Sequence, residues 1–261
     1  MNHAQIANVT TGMSALFISI GALLIVILYI DAGVRSSRHN RLKVWPWYRY
    51  VSFAFGIVCA AISVIGPIAY QAMSNFTMHM VSHLLLGMLA PVILVMSAPV
   101  TLLLRSLPVR QAKVVASLLR SYPVRFITHP IIASVLNIGG LWILYTTSLY
   151  SWMHTNLMVH ILVHVHIFAA GYIFTASLIY IDPVYHRLSY IYRSIVLIGA
   201  LAAHGILSKY IYAHPPEGVG VQEAQTGGML MYYGGDFIDL IIIVLLCYHW
   251  YKNTRPGEVL A

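Results

Sequence analysis

Two pairs of histidines in the sequence have a spacing that allows two side chains to bind one metal ion. His79 and His83 form one pair, and His160 and His164 form the other. In an α-helix, residues four positions apart lie on one face, about 6 Å apart along the axis. A neutral imidazole nitrogen is a good ligand for copper, zinc or iron. The two pairs therefore predict a site for a metal ion or a haem.

Further donor residues are expected at the same level of the predicted fold. His204 is the fifth predicted ligand. The candidates for an outer coordination layer or an entry path are His166, Asp236, Asp239, Met229, Met231, His154 and His214. His166 is only two residues from His164, so we expect it to point in another direction. Ionisable side chains are costly inside a membrane and usually face the interior of a bundle, which makes the two aspartates functional candidates.

The composition of the whole chain is that of a membrane protein. Of its 261 residues 59% are apolar and only 8% are charged, whereas soluble domains have about 25% charged residues. Seven apolar segments are long enough to cross a bilayer, namely residues 13–33, 48–70, 76–99, 130–150, 158–181, 190–213 and 229–251. Backbone polar groups find no water in lipid, so each segment should be helical. The predicted fold is an all-α bundle of seven transmembrane helices, forming a single domain over residues 1–261.

The basic residues indicate how this bundle is oriented. Only Lys209, of the 15 Lys and Arg residues, falls near a predicted outer segment. Because Lys and Arg are enriched in cytoplasmic loops, we expect the N-terminus outside and the C-terminus in the cytoplasm. Both histidine pairs then lie in the outer leaflet. The net charge of +8 follows from this topology and from attraction to anionic membrane lipid, without a nucleic acid partner. The third loop, with Pro108 and Pro123, should form a short amphipathic helix on the cytoplasmic face.

A structural interpretation of the histidines is the main alternative to metal binding. A single His-x-x-x-His pair in a membrane helix is often a hydrogen-bonding pair between helices. Two pairs at matched depth on different helices favour a metal or haem site instead. The histidines expected near the cytoplasmic ends, with interfacial or capping roles, are His39, His129, His186 and His249. Cys59 and Cys247 stand alone, which predicts neither a disulfide nor a thiolate metal motif.

A series of short motifs resembles the polytopic cytochrome c oxidase assembly factors called CtaG, which are distinct from the single-span copper chaperones of that name. The motifs are His79-Met-Val-Ser-His83, Ala90-Pro91, Ser97-Ala98-Pro99, His129-Pro130, His160-x-x-x-His164-x-His166, Gly171-Tyr-Ile-Phe174 and Gly227-Gly228. The resemblance covers nearly all seven predicted helices. One departure is the stretch Gln222-Glu223-Ala224-Gln225, which matches the acidic-Gln pattern of the family only loosely.

The resemblance implies a role in maturing a haem-copper oxidase, as a multi-pass protein of a bacterial plasma membrane. The implied cargo is copper, as Cu(I) or Cu(II), delivered to the Cu(B) centre. The implied partners are the catalytic subunit of the oxidase and an extracytoplasmic copper chaperone. His79, His83, His160, His164 and His204 match motif positions of the family and would bind the metal. No step of this role makes or breaks a covalent bond, so we do not expect an enzyme.

Other functions are compatible with the same residues. In a membrane b-type cytochrome, one histidine from each pair would ligate a haem iron. In an intramembrane hydrolase, histidines would hold zinc while Asp236 or Asp239 activates water. The His-Glu-x-x-His motif of zinc proteases is missing from the sequence, which argues against the hydrolase. A passive metal permease would use the same ligands and would show ion flux.

Overall fold

The computed structural model describes residues 3–38, 42–184 and 187–255, and this part of the chain contains twelve helices and no strand. The helices are α1 His3–Ser37, α2 Trp47–Val64, α3 Gly66–Ala72, α4 Phe76–Met96, α5 Pro99–Ser106, α6 Val109–Leu119, α7 Tyr122–Ile127, α8 Pro130–Thr146, α9 Leu149–Thr155, α10 Leu157–Leu178, α11 Tyr190–Ala213 and α12 Val221–Thr254. His39 and His186, predicted to lie near the cytoplasmic ends, are outside the described residues.

Six of the described helices are long and apolar enough to cross a membrane. The chain bends by 79° between α8 and α9, so these are two separate helices. If the bent pair is counted as one span, it is a seventh crossing. The predicted all-α, polytopic membrane fold is therefore confirmed. The side of the membrane on which each terminus lies stays a prediction.

The helices differ from the predicted spans at several places, and α1, for example, begins at His3 instead of residue 13. α12 begins at Val221 instead of residue 229, because its polar first turns are helical but lower the local hydropathy. The predicted span 48–70 is interrupted at Gly66, whose φ of +82° is a conformation that glycine adopts readily. The predicted span 130–150 bends after Thr146. Because α12 begins at Val221, Asp236 and Asp239 lie near the middle of this helix.

The helix α4 contains a widened, π-helical turn from Leu84 to Leu89. Pro91 has no backbone N–H, so the carbonyl of Gly87 cannot form the usual bond to that residue. This carbonyl faces α10 at Gly171, where any Cβ atom would overlap with its oxygen. Glycine at position 171 therefore lets α4 and α10 approach closely. The close approach brings the histidine-bearing faces of the two helices together.

The helix α4 lies at the centre of the bundle and α1 at its edge. In the membrane-crossing windows of these helices, 67% of the residues of α4 are buried, but only 6% of those of α1. α1 exposes large apolar side chains, among them Phe17 and Leu23. Such side chains are suited to contact with lipid. The central position of α4 explains why His79 and His83 are buried.

The third predicted loop forms three short helices, α5, α6 and α7, where the sequence predicted one. Each begins at or next to a proline, which fits a first helical turn because the missing N–H would have no partner there. Asp182 caps α5 by accepting hydrogen bonds from the backbone N–H groups of Val100 at 3.2 Å and Thr101 at 2.7 Å. Burial raises the pKa of the Asp182 carboxyl, while the hydrogen bonds from Thr101 act in the opposite direction.

Candidate metal centre

Four helices bring six histidines together at the end of the bundle opposite the basic loops. The histidines are His79 and His83 from α4, His154 from α9, His160 and His164 from α10, and His204 from α11. His79 lies near four of the others, with its ring centroid 6.2 Å from that of His154, and His83 lies near His204. The structure thus places the five predicted ligands, and the predicted entry residue His154, in one cluster. Their role as ligands stays a prediction.

Three histidines of the cluster have buried ring nitrogens that form no hydrogen bond. Both ring nitrogens of His83, Nε2 of His204 and Nδ1 of His160 are in this state. His83 is 4% exposed and His204 is 2% exposed. Most buried polar atoms in proteins have a partner, and an exception calls for an explanation such as an ion. A neutral imidazole has one N–H and one lone-pair nitrogen, so His83 can offer one lone pair, and His160 and His204 can each offer one if the proton is on the other nitrogen.

Glycines make room for two of these rings. A Cβ at Gly235 of α12 would come within 2.5 Å of Cε1 of His204. A Cβ at Gly87 would lie 3.3 Å from the ring of His83 and 2.7 Å from Ile167. Contacts below 3.0 Å force neighbouring atoms to shift. Glycine at these two positions therefore leaves the space that the imidazole rings of His204 and His83 occupy.

Two histidines of the cluster are held through their second ring nitrogen. Nδ1 of His164 donates to the backbone carbonyl of His160 at 2.8 Å, and Nδ1 of His154 donates to that of Tyr150 at 2.9 Å. Metal-binding histidines commonly donate their other N–H in this way, which fixes the ring orientation. The lone pair on Nε2 of each ring is then available. The rings of His160 and His164 are stacked with centroids 4.2 Å apart.

A tyrosine that the sequence analysis did not single out orients His79. Nε2 of His79 lies 3.1 Å from the hydroxyl of Tyr145, which is 2% exposed. Tyr150 of α9 packs edge-on against the same imidazole, with ring centroids 5.1 Å apart. Neither tyrosine has a spacing in the sequence that would relate it to His79. The bend between α8 and α9 brings both to the cluster.

Glu223 belongs to the stretch that matches the family pattern only loosely, and the structure gives its side chain a defined contact. Its Oε2 accepts a hydrogen bond from the backbone N–H of Phe76 at 2.9 Å. Asn75 caps the same helix end by accepting from the N–H of Met78 at 3.0 Å. A carboxylate at a helix N-terminus is stabilised by the helix dipole. Glu223 thus attaches the start of α12 to the start of α4, three residues before His79.

Three buried methionines pack in the same hydrophobic cluster as Tyr145 and Tyr150. They are Met80, Met153 and Met231, each at most 1% exposed. Met80 adjoins α12, since a Cβ at Gly227 would lie 3.3 Å from its Cγ. Thioether sulfur is a soft ligand that suits Cu(I). Of these three, Met231 was predicted from the sequence as a candidate, whereas no local pattern singled out Met153.

The remaining predicted residues are not part of the histidine cluster. Nε2 of His166 lies 3.1 Å from the carbonyl of Leu136, on another side of α10. The exposed residues are Met229, Asp236 and His214, the last of which stacks on Tyr210. Asp239 is 4% exposed and lies one turn below Gly235 on α12.

The cluster offers donors in pairs and not as a closed cage. Within residues 3–38, 42–184 and 187–255, no three His, Cys, Asp or Glu side chains are arranged to hold one metal ion together. The chemistry suits a soft or borderline ion that is bound by few ligands and exchanged between them.

Comparisons with known proteins identify relatives along most of the chain. The family model for the cytochrome c oxidase caa3 assembly factor, Caa3_CtaG, matches residues 27–253. An uncharacterized protein of Mycobacterium leprae is 28% identical over 92% of this chain and 40% of its own length. Uncharacterized proteins of Mycobacterium bovis and Mycobacterium tuberculosis are each 33% identical over 71% of this chain and 29% of their own length. This chain therefore spans less than half the length of these relatives. No solved structure matches it.

The family match confirms the resemblance that the histidine and proline motifs suggested. Together with the apolar helices and the mycobacterial relatives, it indicates a multi-pass protein of a bacterial plasma membrane. Because the matched residues include α2 to α11 entirely and nearly all of α12, the chain belongs to the cytochrome c oxidase caa3 assembly factor family.

Proposed function

We propose that this protein assists the assembly of a haem-copper cytochrome c oxidase by binding copper at the histidine cluster and passing it to Cu(B) of the catalytic subunit. The family to which the chain belongs supports the assembly role. The copper role rests on one observation, the buried ring nitrogens of His83, His160 and His204 that have no protein partner. A cation bound to one or two of these nitrogens would reduce the cost of burying them without hydrogen bonds.

The cluster suits a carrier better than a permanent metal site. A permanent site holds its ion with a closed set of ligands, whereas a carrier must release it. His83 and His204 are deeply buried, while His154, His160 and His164 are partly exposed. Copper can therefore enter at the exposed histidines and move to the buried ones. Met80 and Met231 lie beside this path and would favour Cu(I).

The predicted orientation gives the direction of transfer. With the cluster in the outer leaflet, an extracytoplasmic copper chaperone is the expected donor. The catalytic subunit of the oxidase is the expected acceptor, in contact within the membrane. Transfer between ligand sets requires no covalent chemistry from this protein.

Elemental analysis of purified protein tests the proposal directly. The protein is expressed with added copper and purified in detergent as wild type, His83→Ala, His204→Ala and His166→Ala. We expect stoichiometric copper in the wild type and its loss in the first two variants. His166→Ala is the matched control, because it removes a histidine of α10 that lies outside the cluster, and it should retain copper. Cells with His83→Ala should also make less active oxidase.

An absorption spectrum and a flux assay on the same preparations distinguish the other functions. A Soret band that His83→Ala removes would replace the copper carrier with a b-type cytochrome. Zinc in place of copper, or copper flux into liposomes, would replace it with a zinc protein or a permease. If the wild type and all three variants contained equal amounts of metal, we would conclude that the histidines have a structural role.

A further inference from the structure

A second concentration of unpartnered polar groups lies at the opposite, basic end of the bundle. There an open cavity of about 880 Å³ lies between the end of α1, the end of α5 and the start of α6. Its polar lining consists mainly of Arg35, Ser36, Arg105 and Lys113. No Asp or Glu of the described chain lines it. Arg35 pairs with Asp31 at 2.8 Å, so Arg105 and Lys113 supply the positive charges of the lining that no carboxylate of the described chain neutralises. The lining contains none of the histidines.

Two hydrogen-bond donors in the wall of this cavity have no partner. The hydroxyl of Ser36, on a residue only 3% exposed, forms no hydrogen bond. Nε of Arg105 is buried and also has none. The rest of that guanidinium is held in place, since Nη2 donates to the carbonyl of Lys43 at 2.6 Å and the group lies 5.0 Å from the centre of the Trp45 ring. A fixed guanidinium with a free donor is suited to an anionic oxygen.

The other walls of the cavity are apolar. Leu104, Ala112 and Ala116 contribute to them, so apolar side chains adjoin the basic ones in the lining. The helix α6 beside the cavity has no buried residue and exposes Val114 and Leu118. A helix with these properties is suited to the membrane interface, where its apolar side chains can contact lipid. A ligand of this cavity would have access to the acyl chains and to the headgroup layer.

We infer that this cavity binds the phosphate of an anionic phospholipid. The phosphate oxygens would accept hydrogen bonds from the Ser36 hydroxyl and from Nε of Arg105, and the ammonium of Lys113 would neutralise charge. The acyl chains would cover Leu104 and the apolar face of α6. Basic pockets beside transmembrane helices recognise anionic headgroups in this way. The bound lipid would fix α6 against the ends of α1 and α5.

Native mass spectrometry of the full chain in detergent tests this site. Delipidated protein is titrated with dioleoyl phosphatidylglycerol, with dioleoyl phosphatidylcholine and with inorganic phosphate. We expect one tightly bound phosphatidylglycerol and no comparable binding of the other two. Lys113→Gln and Ser36→Ala should each weaken this binding by at least about threefold, the effect of losing one hydrogen bond or surface charge contact. Neither substitution disturbs a hydrogen bond or ion pair of the described chain.

Arg110→Gln is the matched control, because Arg110 is exposed on the same helix but does not line the cavity. It should leave lipid binding unchanged. An equal loss in Arg110→Gln would overturn the proposal, since it would show unspecific attraction to the basic surface. Equal binding of phosphatidylcholine, or binding of inorganic phosphate as tight as that of the lipid, would overturn it as well.

Discussion

At the scale of single residues, the histidine cluster combines two kinds of buried imidazole. His79 is satisfied, because Nε2 contacts the hydroxyl of Tyr145. His83 has neither ring nitrogen satisfied. Leaving a buried polar group without a partner costs about 1–3 kcal/mol. The two adjacent histidines therefore make opposite contributions to stability, although they are on the same helix face and equally buried.

This contrast predicts different effects of replacing the two residues by apolar side chains. His83→Leu removes two unpaired nitrogens at modest change in volume, so the metal-free protein should keep or gain thermal stability. Copper binding should fall by at least about tenfold, because a proposed ligand is lost and even residues that only support metal ligands contribute that much. His79→Phe should instead destabilise the protein by about 1–3 kcal/mol, because the buried hydroxyl of Tyr145 loses its partner.

Thermal unfolding in detergent, with and without copper, measures both effects. The comparison is internally controlled, since the two substitutions lie one turn apart on α4. A loss of stability in metal-free His83→Leu as large as that in His79→Phe would mean that His83 is a structural residue. In that case its unpaired nitrogens would not be available for an ion.

The histidines could be predicted from the sequence, but the residues that orient them could not. The His-x-x-x-His spacing is local, and helix geometry alone puts both imidazoles on one face. Tyr145 reaches His79 over 66 positions of sequence, and Glu223 reaches Phe76 over 147. Such contacts depend on how the helices pack, and no local pattern encodes them. Met153 was missed for the same reason, because it belongs to a short helix after a bend.

At the scale of helices, the packing of α10 on α4 determines how closely the histidine pairs approach. The widened turn of α4 leaves the carbonyl of Gly87 facing α10. Hydropathy predicted both helices, because it depends on composition. It could not predict the π-helical turn, since Leu84 to Leu89 are as apolar as the residues around them. Pro91 accounts for the irregularity at this point of the helix, because it has no backbone N–H.

Substitution of Gly171 tests this packing. Gly171→Ala places a Cβ on the Gly87 carbonyl oxygen, and since backbone cannot move as freely as a side chain, we expect a loss of about 1–3 kcal/mol. Copper binding should weaken in parallel, because His160 and His164 move away from α4. Gly199→Ala is the matched control. Nothing lies within 4 Å of a Cβ at Gly199, so alanine should leave stability unchanged or raise it by up to about 1 kcal/mol through helix propensity.

Chemical denaturation of both variants in the same detergent provides the measurement, together with the copper content of each. If Gly171→Ala were as stable as Gly199→Ala, the close contact between α4 and α10 would not be a determinant of the fold. The positions of the two histidine pairs would then need another explanation.

At the scale of the whole molecule, the histidines and the basic residues lie at opposite ends of the helix bundle. The histidine cluster lies at one end, where α4 and α10 begin. The basic residues and the cavity around Ser36 lie at the other end. Composition and charge predicted this polarity, since both depend on which residues occur between helices. The bend of 79° after α8 was not predicted, because hydropathy continues across it.

The orientation of the bundle across the membrane is the last prediction, and cysteine labelling tests it. In a background of Cys59→Ala and Cys247→Ala, single cysteines replace Glu217, between α11 and α12, or Ser117, on α6, both exposed positions. We expect a membrane-impermeant maleimide to label Glu217→Cys on intact cells. Ser117→Cys should react only after the cells are broken, because cytoplasmic loops carry the Lys and Arg residues. Labelling in detergent controls for the reactivity of each cysteine. The reverse pattern would put the histidine cluster on the cytoplasmic side, so copper would have to arrive from inside the cell and an extracytoplasmic chaperone could not be its donor.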